Sequence, residues 1–267
     1  MALRRSARVA ALASPLKAAA PLIAKKATGK GRPTTKAKGK AAVRGKATKS
    51  TASTSSARRP GVGPTRDHER RKWAKGFKLV AGVDEAGRGP LVGPVVAAAC
   101  VLSRDLDLNL AGLDDSKKMT EEQREECFEV LTSNPDAISY AWHSIDAKEI
   151  DEINILQASL KAMELAVSKL PTKPDYVLID GNRIPKNLSP DTTEAIVKGD
   201  GKSIAIAAAS VIAKVVRDRM MFDLHKEYPQ YGFDKHKGYG VPQHLQAIRK
   251  HGPCPHHRRT FAPIKYM

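Results

Sequence analysis

Four carboxylates stand where the sequence predicts strands to stop. Asp84 and Glu85 follow the apolar run 79–83, Asp180 follows the run 176–179, and Asp200 lies in the turn-like Lys198-Gly199-Asp200-Gly201. In an open α/β sheet the functional crevice lies beyond the carboxyl ends of the strands. Acids gathered there repel one another unless cations hold them, and hard oxygen ligands suit Mg²⁺. Two such ions roughly 3.5–4 Å apart can clamp a phosphodiester, activate a water and stabilise the leaving oxygen. Neighbouring strand residues point to opposite faces. Asp84 and Glu85 can therefore share a site only if the chain bends at Ala86-Gly87 or Glu85 lends its backbone carbonyl. The bland alternative for such a pair is a simple strand end.

Gly87-Arg88-Gly89 comes next. Two glycines let a backbone approach a ligand closely, so its N–H and C=O groups can reach a phosphate or a sugar hydroxyl. A 2′-hydroxyl both donates and accepts, and it separates RNA from DNA. An ordinary tight turn with a solvent-facing Arg88 is the plainer reading. A dinucleotide-binding loop is a rival, since Gly87, Gly89 and Gly93 resemble a loosened glycine fingerprint. Pro90 and Pro94 would disrupt the helix needed to receive a pyrophosphate, and Asp84 and Glu85 would repel it.

The elements that must position these residues are legible in outline. Runs 79–83 and 95–102 suit buried strands, which need not alternate. Thr120 and Gln123 form a capping box for a helix to about Leu131. Residues 138–145 read as a strand. Ile153, Leu156, Leu160, Met163, Val167 and Leu170 make one apolar stripe on a long helix. Residues 176–179 form a strand, 204–224 a helix, and 242–250 a shorter helix closed by Gly252 and Pro253. The predicted class is α/β, a central mixed β-sheet flanked by helices with a C-terminal helical region.

Charge divides the chain. Residues 1–66 carry 17 Lys or Arg and no acid, leaving 29 basic against 28 acidic residues in the remainder. The segment 1–66 is expected to be a disordered basic leader, with the folded domain spanning 70–267, because it has too little apolar surface to offset chain entropy. Arg4, Arg5, Arg8 and Lys17 interleave with Leu3, Val9, Leu12, Leu16, Leu22 and Ile23, the composition of a mitochondrial presequence. The Lys-rich tract that follows is a tether, a nuclear signal or a polyanion-binding arm. The apolar run of the first 24 residues is too short and too interrupted to span a membrane, so no membrane association is expected. Cys100, Cys127 and Cys254 argue against a disulfide framework. Cys254 beside His251, His256 and His257 invites a zinc site, though the spacing matches no common pattern.

Residues 79–102, LVAGVDEAGRGPLVGPVVAAACVL, resemble the opening of ribonuclease HII, the bacterial-type branch of the type 2 ribonucleases H. Further blocks match in order: GLDDSKKMTEEQRE at 112–125, IDEINILQASLKAME at 150–164, VLIDGNRIP at 177–185 with KGDGKSIAIAAASVIAKVVRD at 198–218, and HKGYGVPQHLQAI at 236–248 followed by GPCPHHRRTFAP at 252–263. They cover nearly all of 79–263.

The resemblance implies a ribonuclease H-like fold and an endonuclease that cuts 5′ to a ribonucleotide, in RNA/DNA hybrids or within duplex DNA, leaving 3′-hydroxyl and 5′-phosphate ends. It implies Mg²⁺ or Mn²⁺ in a two-metal site on Asp84, Glu85, Asp180 and Asp200. It implies a ribonucleotide-reading loop at Gly87, Arg88 and Gly89, and a junction-sensing ring at Tyr239 that packs on the following deoxyribose. Lys117, Asn182, Lys198, Ser210 and Lys214 are candidate phosphate contacts or supports of the acids, and Asp218 is expected to pair with Lys214 four residues away. Val92 stands where many members have Ala, and Val241-Pro242 replaces a more usual Thr-polar pair, which removes a hydroxyl able to cap a helix. The expected partner is nucleic acid, bound by a monomer, with a replication clamp left open as a further partner. The leader suggests a eukaryotic cell that sends the enzyme to its mitochondria. A basic DNA-binding protein with a dead nuclease fold is the alternative, opposed by the four intact acids.

Overall fold

In chain order the elements are α1 (Asp67–Ala74), β1 (Val80–Ala86), β2 (Val95–Leu102), α2 (Glu121–Thr132), β3 (Ile138–Ile145), α3 (Ala147–Ile153), α4 (Ile155–Ser168), β4 (Tyr176–Asp180), β5 (Thr193–Ile196), α5 (Ile204–Glu227), α6 (Phe233–His236) and α7 (Pro242–His251). The computed structural model describes residues 63–106, 113, 116 and 119–267. Lys117 and nearly all of the expected leader lie outside the described residues.

The five strands form one sheet in the order β3-β2-β1-β4-β5. β1 pairs antiparallel with β2 and parallel with β4, so the α/β class with a mixed sheet is borne out. Every residue of β2 is buried because the sheet is covered on both faces. Parity sorts the side chains. Val96, Ala98, Cys100 and Leu102 pack with α5 and α2, whereas Val95, Ala97, Ala99 and Val101 pack with α4.

Small residues let both helices close on the sheet. A Cβ on Gly82 would lie 2.0 Å from the Ala205 backbone, so α5 rests directly on β1 there. On α4 the fully buried line is Ala158, Ala162 and Ala166 with Met163, while Leu156, Leu160 and Val167 are only partly covered. The expected stripe is thus rotated, because the smaller side chains allow the closer approach. The expected single helix is also broken. Asn154 adopts φ 67 and its side chain accepts from the Leu156 and Gln157 N–H groups, ending α3 and capping α4.

Three further departures concern ends. β1 does not stop before the acids but carries Asp84, Glu85 and Ala86 in register with β2. Strand β5 and helix α1 have no counterpart among the elements that the sequence pattern predicts. Residues 63–66, which composition groups with the leader, join the folded body. Thr65 bridges Ser203, and Arg66 donates to the Ser103 and Arg104 carbonyls at 3.1 Å. Buried Glu69 of α1 accepts from the Ser203 hydroxyl and the Ala205 N–H, holding the start of α5. The capping box of α2 is present. A third core of Leu91, Val92, Met221, Tyr231, Phe233, Ile248, Cys254 and Ile264 seats the C-terminal region against the loop after β1. Among the described residues no helix is long and apolar enough to cross a membrane.

Candidate active site

The parallel register of β1 and β4 ends at Val83 opposite Ile179, so the next residue on each strand is an acid, Asp84 and Asp180. Gly82 faces α5, and so, two residues on, does Asp84. Leu178 packs with Ile206 of α5, which puts Asp180 on the same side. Glu85 starts from the opposite face. It nevertheless joins the others, and carboxylate oxygens of Asp84, Glu85 and Asp180 lie within 4.8 Å of one another. No β4 residue pairs beyond Val83, which leaves an open end around which the longer Glu85 side chain can reach. The chain bends only afterwards, at Gly87 with φ 97.

Asp84 is 3% exposed. Burial, then the charges of Glu85 and Asp180, raise its pKa well above the usual carboxylate range, against hydrogen bonds from Ser210 and the Glu85 N–H. Asp180 accepts from the Gly199 N–H at 2.6 Å, which ties β4 to the short turn Gly199–Gly201. Asp200 sits in that turn, buried, and accepts from the Gly201 N–H at 2.9 Å. The turn carries it toward the acids, but the group that closes within 4.8 Å is the other three. Hard carboxylate oxygens this close, one of them in a buried setting that disfavours its charge, suit a divalent cation.

A cleft of about 290 Å³ adjoins the acids, lined by Glu85, Ala86, Gly87, Arg88, Ser116, Lys214, Arg217 and Tyr239. It unites the Gly87-Arg88-Gly89 loop with Tyr239, which is 45% exposed and whose ring lies 3.6 Å from where a Cβ on Gly89 would stand. Arg88 Nη1 donates to Glu85 at 3.1 Å. Lys214 lines the cleft while donating to Asp218 at 2.7 Å, the pairing expected from their spacing. Burial lowers the Lys214 pKa, partly offset by Asp218.

Ser210 requires a correction as a candidate substrate contact. It is 3% exposed and bonded to Asp84 and to the Ser116 hydroxyl, so it supports the acid from behind. Asn182 is exposed two residues after Asp180. Val241 caps α7 without a side-chain hydrogen bond, as the missing hydroxyl predicts. Cys254, His257 and His244 form a buried chain, with Cys254 Sγ 3.1 Å from His257 Nδ1 and the two Nε2 atoms 3.1 Å apart. Burial lowers both histidine pKa values to about 4. Among the described residues they do not form a metal-ligand group, which leaves the zinc alternative without support.

Sequence reasoning missed two buried arginines. Arg217 donates to the Pro94, Lys237 and Val92 carbonyls, and Arg258 to those of Gly87, Arg88, Pro90 and Gly93. An Arg in the apolar stretch of α5 was a usable signal for the first. Nothing local marks the second.

The family described as Ribonuclease HII matches residues 81–264. A ribonuclease HII of Idiomarina loihiensis is 54% identical over 189 residues, 71% of this chain and 98% of its own. The crystal structure of ribonuclease H2 from Pyrococcus horikoshii is similar with a TM-score of 0.56 at 31% identity, covering 70% of this chain and 96% of that one. The ribonuclease HII of Archaeoglobus fulgidus, solved as a complex with PCNA, has a TM-score of 0.56 at 26% identity over 68% of this chain and 95% of its own.

Proposed function

The chain belongs to the ribonuclease HII family, and from that premise we propose that it hydrolyses the phosphodiester 5′ to a ribonucleotide, in RNA/DNA hybrids or within duplex DNA. The products are a 3′-hydroxyl and a 5′-phosphate, and the roles are ribonucleotide excision and RNA-primer removal. As a ribonuclease H the protein acts on nucleic acid and depends on a divalent metal. The observation that carries the finer reading is the convergence of Asp84, Glu85 and Asp180 beside a cleft that also holds Gly87, Arg88 and Tyr239.

Asp84, Glu85 and Asp180, joined by Asp200, would hold Mg²⁺ or Mn²⁺. Two such ions supply water activation and stabilisation of the leaving oxygen. The rest falls to the chain's own groups. Ser210 and the Gly199 N–H keep the acids in place. The Gly87-Arg88-Gly89 backbone contacts the 2′-hydroxyl that deoxyribose lacks. Tyr239 packs on the next sugar, favouring one without that hydroxyl. Lys214 offers a cation to a backbone phosphate, and Asn182 and Lys117 are further candidates for that contact.

Duplex DNA with a single ribonucleotide, incubated with Mg²⁺ or Mn²⁺ and then with EDTA, tests this reading. The expected result is one metal-dependent nick 5′ to the ribonucleotide. Absence of any such nick sinks it. Asp84→Asn should bind the duplex without cutting, whereas a merely basic DNA binder would show steep salt dependence and no cleavage even as wild type.

The basic leader supports a mitochondrial destination, with nuclear import as the alternative. Residues 1–60 fused to a fluorescent reporter decide between them, and diffuse signal refutes both. The archaeal relative assembled with PCNA supports a replication clamp as a protein partner.

A further inference from the structure

Arg258 is fully buried, in the C-terminal segment that follows α7, far in sequence from the reading loop. Its guanidinium makes five hydrogen bonds, all to backbone carbonyls of residues 87–93. Nη2 reaches Gly87 at 2.6 Å and Gly93 at 2.9 Å, Nη1 reaches Arg88 and Pro90 at 2.9 Å, and Nε reaches Gly93 at 3.0 Å. No carboxylate bridges it among the described residues. A buried cation with all five donors directed at one loop organises that loop, since only a rigid planar fork can gather so many carbonyls.

The consequence lies on the other side of each peptide. Outside Ala262-Pro263 the described peptide bonds are trans, and in a trans peptide the C=O and the following N–H point in opposite directions. Drawing the Gly87 and Arg88 carbonyls inward therefore turns the Arg88 and Gly89 N–H groups outward. Both residues are exposed, and neither N–H donates to another described residue. The segment bearing Arg258 is fixed in turn. The Arg258 N–H donates to the Leu91 carbonyl at 2.9 Å, Val92 bridges His257, and Asp151 of α3 accepts from the Arg259 and Thr260 N–H groups at 2.7 and 2.9 Å.

We propose that Arg258 is the positioning residue for ribonucleotide specificity: it fixes the outward aim of the Arg88 and Gly89 N–H groups at the 2′-oxygen of the ribonucleotide. This rests on the ribonuclease reading of the site and adds the residue that sets its selectivity. Arg258 touches neither the substrate nor the acids.

The test is Arg258→Lys, assayed three ways on the full chain. These are kcat/KM on a duplex with one ribonucleotide, the inhibition constant of the same duplex in all-deoxy form, and the Mg²⁺ concentration giving half-maximal rate. Lysine cannot span four carbonyls, so kcat/KM should fall about 10- to 100-fold through lost loop positioning. The inhibition constant and the Mg²⁺ midpoint should hold within about twofold, because neither phosphate binding nor the carboxylates are disturbed. A merely structural role would instead move all three together, which overturns the proposal. So does a folded variant with wild-type kcat/KM. If Arg258→Lys does not fold, Asp151→Ala decides by releasing the same segment without touching the buried cation. Its kcat/KM should fall about threefold with the inhibition constant unchanged, and no fall overturns the proposal. A wild type that makes no ribonucleotide-dependent cut overturns the ribonuclease reading itself, and this proposal with it.

Discussion

Replacing Gly87 with alanine tests the physical account of the Gly87-Arg88-Gly89 loop most sharply. Gly87 has φ 97, a conformation that costs an L-residue about 1–3 kcal/mol. An added Cβ would lie 2.1 Å from Arg217 Nε, 2.4 Å from its Cδ and 2.8 Å from the Pro94 carbonyl oxygen. Arg217 has nowhere to retreat. It is 1% exposed and held by the carbonyls of Pro94 at 3.1 Å, Lys237 at 3.1 Å and Val92 at 3.3 Å. Stranding even one such charge-assisted bond costs roughly 1.5–3 kcal/mol. Together the two effects amount to about 3–6 kcal/mol, or a fall in Tm of roughly 6–24 °C for a domain of this size. Gly89→Ala is the control within the same motif. Its Cβ would meet only the Tyr239 ring, at 3.6 Å, and its φ is ordinary. Its stability should match wild type within about 0.5 kcal/mol, while cleavage at an embedded ribonucleotide falls because the methyl group crowds the cleft beside Tyr239. Thermal melts followed by circular dichroism, with cleavage assays alongside, distinguish the two. Equal Tm shifts, or a Gly87→Ala protein within about 2 °C of wild type, would refute the reasoning.

Asp84→Asn should lower cleavage by about 10³-fold or more and abolish any rise in Tm on adding Mg²⁺, read by calorimetry with and without EDTA; a persisting metal-induced rise would contradict the placement of the ion. Tyr239→Ala removes a half-exposed ring, so stability should change little while kcat/KM at an RNA–DNA junction drops about tenfold, checked against an all-RNA strand that should be affected less. His244 and His257 are held neutral, with pKa values lowered by burial to about 4 from 6.5. Above pH 6.5 both are neutral whether the chain is folded or not; below it only the unfolded chain takes up the protons, so stability falls as pH drops toward 4. Urea titrations across that window should show wild type losing stability more steeply than the His244→Asn/His257→Asn double variant, and parallel pH profiles would disprove it.

Much of this protein is determined locally, and that much the sequence shows by itself. The apolar runs of β2 and β4 announce buried strands because both sheet faces are covered there, whereas β3, at the sheet edge and mostly half-buried, shows itself by alternation. Thr120 and Gln123 mark the start of α2 because a capping box is complete within four residues. The Lys214–Asp218 pair follows from helical spacing alone. The acids were legible as a set of types at predicted strand ends.

Other decisions depend on residues distant in the chain. That Glu85 reaches the side of the sheet occupied by Asp84 and Asp180 depends on where the pairing of β1 with β4 stops. That Ser210 serves Asp84 and not the substrate depends on how closely α5 settles at Gly82. The aim of the Gly87-Arg88-Gly89 loop depends on Arg258, separated from Arg88 by 170 residues. No local pattern encodes such a contact, because a buried guanidinium gains its meaning only from the carbonyls that folding brings around it. The four carboxylates and the Gly-Arg-Gly motif are a property of the sequence. Their direction is a property of the packed chain, where burial makes every unmet hydrogen bond costly and so leaves the loop one arrangement.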